Sequence, residues 1–355
     1  IERFESLGVK VIQEMGLFKN EATVETNRYL IHAKRFIIAT GSYPFIPTIP
    51  GLQNINYLTN ETIFELKELP EHLVIIGGGP IGIEMAQAFL NLGSKVTVLE
   101  AFKALPKDDP ELSHPLLEYL KSKGLDLIEG KPIHRIQKAA DGFKISVGNN
   151  YITGTHLLVA AGRRPRIDSL NLDAAGIKFT SQGIQVNEKL QTTNKRAYAI
   201  GDCAGSFQFT HMAGYHAGLV IKSSIFGLPA KVNLNAIPWV TYTDPELAQV
   251  GAQEAHLEEK SIPHRVLKAN FGEIDRSVAQ AQNMGFMKVM VSPKGKILGA
   301  SALGAGAGDL IYPWAFAMQN NLNIKSFSQS IVPYPTVSDI HKKLAGQFFI
   351  PKIFN

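Results

Sequence analysis

The spacing of apolar positions changes character near residue 73. Before it, short apolar segments alternate with polar residues at 9–13, 22–25, 29–32 and 35–40, which predicts short antiparallel strands. Pro44, Pro47, Pro50 and Gly51 then interrupt any period, and 60–69 predicts a short helix capped by Asn60 or Thr62. After it, apolar runs at 73–76, 95–99 and 125–129 predict buried strands, separated by amphipathic helices at 80–92 and 110–123 that end on Gly93 and Gly124. That is a βαβαβ order, which calls for a parallel sheet. Residues 143–147 alternate as in an antiparallel ribbon, and 157–161 read as a further buried strand before Gly162.

Strand-like stretches follow at 183–186 and 197–200, then a helix at 210–226 ended by Gly227. Beyond residue 235 come strands at 238–242, 264–270, 286–291 and 297–302 with helices at 308–320 and 335–345, an α+β mixture. Boundaries are expected near Pro70, Pro165 and residue 232. A chain of 355 residues exceeds one ordinary hydrophobic core, so several domains are expected.

Composition narrows the function classes. With 45% hydrophobic and 19% charged residues the whole chain should fold. Its formal charge of +5 is spread in pairs such as Arg163-Arg164 and Lys342-Lys343, with no basic run interleaved with aromatics, which argues against nucleic acid. The single cysteine, Cys203, excludes an internal disulfide framework and a cysteine-based zinc cluster; it fits a reducing, cytoplasmic setting, and no metal site is expected. No run of about 18 apolar residues marks a membrane span.

The sharpest motif runs from Leu73 through Gly77-Gly-Gly79-Pro80-Ile81-Gly82 to Glu84, a strand entering G-x-G-x-x-G and then a helix. Gly77 permits the tight turn, Gly79 lets backbone approach a pyrophosphate, and Gly82 lets helix and strand pack closely, so the phosphates would meet the helix N-terminus. Glu100 ends the next strand, 23 positions after Gly77. A carboxylate there accepts from both hydroxyls of a ribose and repels a 2′-phosphate, which prefers NAD over NADP; Lys103 nearby partly screens that repulsion. A glycine turn with a purely structural role is the alternative.

Three further motifs occur in fixed order around this turn: Ala39-Thr40-Gly41, Ala160-Ala-Gly162-Arg163-Arg-Pro165, and Ala199-Ile-Gly201-Asp202-Cys203. Together they resemble the class I pyridine nucleotide-disulfide oxidoreductase family, which includes lipoamide dehydrogenase, glutathione reductase and mercuric reductase. The resemblance implies an α/β fold with a doubly wound, Rossmann-like NAD domain (71–165) inserted in an incomplete FAD domain (1–70 and 166–232), plus an α+β dimerisation domain (233–355). It implies NAD(H) and FAD as cofactors, a homodimer, and a reaction passing hydride from NADH through flavin to a disulfide, metal or other acceptor.

By that resemblance Asp202 faces the ribityl hydroxyls of FAD, a plain turn aspartate being the alternative. Glu84 faces the nicotinamide ribose and amide, or is a solvent-facing helix acid. Ile81 gates the flavin face, or is core. Thr40, Gly41, Pro80 and Gly162 complete the cofactor-binding set. Residues 237–251, with Ile237-Pro-Trp239 and Asp244-Pro245-Glu246, resemble the opening of the dimerisation domain.

Two departures bear on mechanism. No earlier G-x-G-x-x-G and no C-x4-C occur in these residues, and the chain starts without Met, so an N-terminally truncated chain, inactive by itself, is expected. Cys203, without a partner thiol, is expected to be inert. Where lipoamide dehydrogenase and glutathione reductase carry a histidine base and an orienting acid, this chain has Tyr334-Pro335-Thr336 and Asp339. A phenol is a poor base at neutral pH but a usable donor. This resembles the mercuric-reductase side of the family, yet the tail 348–355 has no vicinal cysteines. His341 is either a substitute base or a polar surface residue. Two other functions stay open: a non-catalytic NADH-binding dimeric module, and a cysteine-independent flavin reductase.

Overall fold

The computed structural model describes residues 1–205 and 207–350, so the tail motif beyond residue 350 lies outside the described residues. The chain forms two compact units. One joins residues 1–43 to residues 163–233; the other joins residues 44–162 to the chain from Leu234 onward.

In the second unit, strands Tyr57–Leu58, His156–Val159, His72–Ile76, Lys95–Glu100 and Asp126–Glu129 lie side by side in that order, all parallel. The order steps outward from His72–Ile76 in both directions, so its C-terminal end borders the crevice where such sheets bind ligands. Both faces of the sheet are covered, which is why the strands read as apolar runs rather than alternating ones. Leu73, Ile75, Val96 and Val98 pack with Ile83, Leu112 and Leu116 of helices Pro80–Asn91 and Pro110–Ser122. On the other face, Val74, Ile76 and Leu157 meet Phe143, Ile145 and Val147. Those last three belong to the central strand of an antiparallel ribbon, Ile133–Ala139, Gly142–Val147 and Asn150–Gly154, of which only the middle strand was legible in the alternation.

The C-terminal part of this unit is a five-stranded antiparallel sheet ordered Pro238–Thr241, Glu246–Gly251, Ile297–Gly304, Phe286–Val291 and Arg265–Asn270. Helices Ala307–Gln319 and Asp339–Gln347 cover one face around Trp314, which stacks on Phe327 with ring centroids 4.0 Å apart. Leu247 and Leu303 instead join the cluster containing helix Pro110–Ser122. At that junction Lys288, 1% exposed, reaches Asp109 at 2.6 Å, Glu254 at 2.9 Å and Glu111 at 3.0 Å. Burial alone would lower its pKa, but Asp109, Glu254 and Glu111 outweigh burial and hold it above the ordinary lysine value.

In the first unit, strands Leu17–Asn20, Thr23–Glu25 and Leu30–His32 form an antiparallel sheet. Strand Phe36–Ile38 pairs in parallel with Ala197–Ala199, and helix Thr210–Ser224 follows.

Several expectations need correction. Residues 9–13 form no strand; a helical turn at Glu2–Glu5 precedes them, and the first hairpin strand begins at Leu17, because Phe18 is the residue that reaches the core beside Val24. Strand Phe36–Ile38 is not part of an antiparallel set, since its partner lies far along the chain and no local pattern announces it. The expected helix at 60–69 is one 3-10 turn, Ile63–Glu65, and the Thr62 hydroxyl accepts from Thr59 N–H instead of capping it. The last helix starts at Asp339, not at residue 335, after a turn in which Thr336 donates to the Pro333 carbonyl.

Replacing Lys288 with Met leaves Asp109 and part of Glu111 and Glu254 charged without their buried counter-ion, and should cost about 3–5 kcal/mol. Urea unfolding at neutral pH measures this; a loss below about 1 kcal/mol, the range of exposed pairs, would contradict the buried cluster.

Candidate functional site

The glycine turn lies between two parallel strands of the second unit. Gly77 has φ +115°, and a Cβ there would lie 2.4 Å from the Ala160 carbonyl oxygen. A Cβ on Gly82 would lie 1.9 Å from the Gly77 carbonyl oxygen, so both positions need glycine for space. Gly79 has open space around it and is the N-cap of helix Pro80–Asn91, with no side chain capping that end. Pro80 at the first helical position has no N–H to satisfy and a preset φ. The free N–H groups of the first turn therefore face outward from the turn, as an anion site requires.

Glu100 closes this arrangement. Its Oε2 accepts from the Gly78 N–H at 2.7 Å and its Oε1 from the Phe102 N–H at 2.9 Å. A carboxylate has about four acceptor positions, so both oxygens keep capacity for hydroxyl donors. Glu84 is half-buried and accepts from the Tyr242 N–H at 2.8 Å, which settles it as no solvent-facing acid. Burial raises its pKa, and the Tyr242 hydrogen bond opposes that rise. Ile81 is half-buried at the start of the helix. Gly162 has φ +112° and its carbonyl accepts from Phe45 N–H at 2.9 Å.

In the first unit, Asp202 sits in the 3-10 turn Gly201–Ala204 directly after strand Ala197–Ala199. Its Oδ2 accepts from the Ser42 hydroxyl, which accepts in turn from Arg163 Nε at 2.7 Å; the Arg163 Nε lies 4.0 Å from the same carboxylate oxygen. Thr40 donates to the Arg166 carbonyl at 2.6 Å, and the Gly41 carbonyl accepts from Arg166 N–H. Asp202, Arg163, Ala39, Gly41, Gln208 and Thr210 line one cavity of about 340 Å³. An acceptor-only carboxylate at the edge of such a cavity fits a polyol. Arg163 lies in a motif read from the sequence, but neither its role nor that of Ser42 is legible there; contact with Asp202 gives them meaning. Cys203 is buried with its sulfur 3.2 Å from the Ile200 carbonyl and 3.3 Å from that of Ile38, as an inert thiol would be.

Tyr334 and Asp339 do line one cavity, of about 280 Å³, with Asp275, Arg276, Lys342 and Lys343. The phenol, 76% exposed, donates to Asp275 Oδ2 at 2.8 Å, so the acid that orients it is Asp275 and not Asp339. That hydrogen bond and the Asp275 charge raise the phenol's pKa, with a smaller push from Asp339. Tyr334 is held protonated, as a donor. His341 is neither a base in this cavity nor a surface residue. It is 5% exposed, has no hydrogen-bond partner on either ring nitrogen among the described residues, and packs edge-on to Trp314. The helix period places it inward with Ile340, Leu344 and Ala345.

Residues 2–217 match the model of the pyridine nucleotide-disulphide oxidoreductase family, and residues 237–345 match that family's dimerisation domain. The chain belongs to this family, whose members use FAD and a nicotinamide dinucleotide. It is 37% identical to a mercuric reductase of Bacillus cereus over 346 residues, covering 96% of this chain and 55% of that protein. With the mercuric reductase of Staphylococcus aureus it shares 34% identity, covering 98% of this chain and 65% of that one. The chain thus spans roughly three fifths of the length of these curated relatives. Among solved structures, a Cu(II) complex of the HOCl-induced flavoprotein disulfide reductase RclA from Escherichia coli superposes with a TM-score of 0.91 at 27% identity, covering 97% of this chain and 82% of that one. LpdA from Mycobacterium tuberculosis, 23% identical, shares the fold with a TM-score of 0.90 over 98% of this chain and 79% of that one. No helix among the described residues is long and apolar enough to cross a membrane.

Burial pushes the His341 pKa down from its ordinary 6.5 to about 4. The folded state therefore holds the ring neutral, so its contribution to stability is complete above pH 6.5 and is lost as pH falls from there towards 4. The loss is on the order of 3 kcal/mol. Urea unfolding across that range should show the wild type losing this increment and His341→Phe, which cannot take up a proton, losing it no longer; parallel pH profiles would refute the assignment.

Proposed function

We propose that this chain forms the NAD(H)-binding, flavin-ribityl and dimerising parts of an oxidoreductase that passes hydride from NADH through FAD to a disulfide, metal or other acceptor. The observation that supports this reading is the Glu100 carboxylate bound to the Gly78 N–H at 2.7 Å, an acceptor suited to ribose hydroxyls beside a glycine turn at the crevice of a parallel sheet. When bound, the nicotinamide supplies two electrons as hydride and the flavin passes them on.

The residues divide the task. Gly77, Gly79 and Gly82 keep side chains out of the phosphate approach, and the helix end beginning at Pro80 offers its N–H groups to the pyrophosphate. Glu100 accepts from the adenosine ribose hydroxyls and disfavours a 2′-phosphate. Ile81, at the start of the same helix, and Glu84, one turn into it, serve the nicotinamide end. Asp202 accepts from the ribityl hydroxyls of FAD, with Ser42 and Arg163 fixing its carboxylate and Thr40, Gly41 and Gly162 shaping the nearby backbone. Tyr334 shifts its one O–H from Asp275 to the acceptor when the acceptor enters, with Asp339 adding negative charge to the same cavity.

The segment roles follow: 1–70 and 166–232 for FAD, 71–165 for NAD(H), and 233–355 for dimerisation. The match of residues 237–345 to the dimerisation domain supports a homodimer. A buried thiol as the chain's one cysteine supports a reducing, cytoplasmic setting.

Calorimetry on the chain should find NADH bound more tightly than NADPH. Glu100→Ala should lose about 1.5–3 kcal/mol of NADH affinity, the value of hydrogen bonds to a charged group, and should narrow the gap to NADPH. Gly82→Ala, whose methyl would meet the Gly77 carbonyl at 1.9 Å, should abolish binding. A wild-type chain that binds no NADH would sink this reading.

A further inference from the structure

The loop that leaves Glu100 does more than connect a strand to a helix. At its start the Ala104 N–H donates to Glu129 Oε1 at 2.7 Å, and the Leu105 N–H donates to the Gly78 carbonyl at 2.9 Å. Leu105 is buried and held at φ +48°, a conformation that branched side chains rarely adopt. Three residues on, Asp108 is 4% exposed, and its Oδ1 accepts from Trp239 Nε1 at 2.9 Å and from Gln249 Nε2 at 3.0 Å. Gln253 donates to the Lys107 carbonyl and to the Gln249 side chain, closing the contact. Trp239, Gln249 and Gln253 all belong to the C-terminal part of the chain; the loop therefore runs from the glycine turn straight to that sheet.

The planarity of the peptide bond gives this path a consequence. In a trans peptide the carbonyl and the following N–H point to opposite sides. Fixing the Gly78 carbonyl on Leu105 therefore aims the Gly79 N–H the other way, out of the turn, while the Gly78 N–H is held on Glu100. The Asp108 N–H donates to the Leu105 carbonyl at 3.1 Å, which ties the two residues in one turn, and a buried carboxylate stays where its donors are because leaving them leaves it unpaired.

We infer that Asp108 is a positioning residue for the dinucleotide: held by Trp239 and Gln249 of the C-terminal sheet, it sets through Leu105 the orientation of the Gly78–Gly79 peptide that meets the pyrophosphate. The inference rests on the NADH reading of the glycine turn. Burial raises the Asp108 pKa, opposed by the hydrogen bonds from Trp239 and Gln249. The dimerising part of the chain thereby takes part in nucleotide binding without touching the nucleotide.

The test uses the whole chain, with NADH titrated by calorimetry and amide hydrogen exchange followed at Leu105. Asp108→Ala should weaken NADH binding by roughly three- to thirtyfold, the range for residues that act through a packed network. It should also speed exchange of the Leu105 amide. Trp239→Phe keeps the ring and removes one donor, so it should move both readouts in the same direction by less and decides the matter if Asp108→Ala does not fold. Asp108→Asn, which retains an acceptor oxygen, should restore most of the affinity. Folded Asp108→Ala or Trp239→Phe chains that bind NADH as tightly as wild type, with only the melting temperature lowered, would overturn the proposal. A wild-type chain that binds no NADH overturns the nucleotide reading itself and this inference with it, a result separable from the first because it needs no substitution.

Discussion

A side chain at position 82 would collide with the carbonyl oxygen of Gly77 at 1.9 Å, and much of the second unit follows from that closeness. Because helix Pro80–Asn91 can sit directly on the end of strand His72–Ile76, its N-terminus opens at the crevice of the parallel sheet rather than above it. The same closeness leaves the Gly78 peptide between Glu100 on one side and Leu105 on the other, each taking one of its polar groups. Both polar groups of Gly78 are hydrogen-bonded within the protein, so that residue is fixed while the N–H groups that follow it stay open toward an anion.

How much of this could be read from the sequence depends on the distance over which each cause acts. The strand, glycine turn, helix and Glu100 are legible because spacing along one supersecondary unit dictates them: glycine where backbone meets backbone, an acid at the end of the neighbouring strand. Strands at 286–291 and helices at 80–92 and 110–123 fall within a residue or two of their observed bounds for the same reason, since buried runs and helical stripes are local patterns. What failed needed a partner far away. Phe36–Ile38 pairs with Ala197–Ala199, and nothing in residues 35–40 says whether the partner runs parallel or antiparallel. Residues 9–13 alternate as a strand should but pair with no strand among the described residues.

The charged side chains divide on the same line. Glu100 and Asp202 follow strands in recognisable motifs and could be given roles; Ser42, Arg163, Asp275 and Lys288 could not, because each acquires its role only from a group brought to it by the fold. Asp275 is the instructive case. Asp339 lies five residues from Tyr334 and looks like its natural orienting acid, yet the phenol's hydrogen bond goes to an aspartate 59 residues earlier. Sequence proximity ranks candidates by reach, and the turn through Pro335 and Thr336 ahead of the last helix redirects that reach.

Buried charge marks where the parts of the second unit are joined. Hydrophobic contacts between the nucleotide half and the C-terminal sheet, through Leu247 and Leu303, would tolerate sliding by an ångström, since dispersion and apolar burial have no direction. Lys288 with its three carboxylates, and Asp108 with Trp239 and Gln249, do not tolerate it: a small shift leaves a buried charge short of a partner at a cost well above that of an apolar gap. Both clusters sit at the point where the loop from Glu100 becomes helix Pro110–Ser122. Directional contacts placed there fix the register of the junction, while the apolar core supplies most of its adhesion. A site whose geometry must hold within a hydrogen bond's tolerance is thus attached to its sheet by the contacts least able to drift.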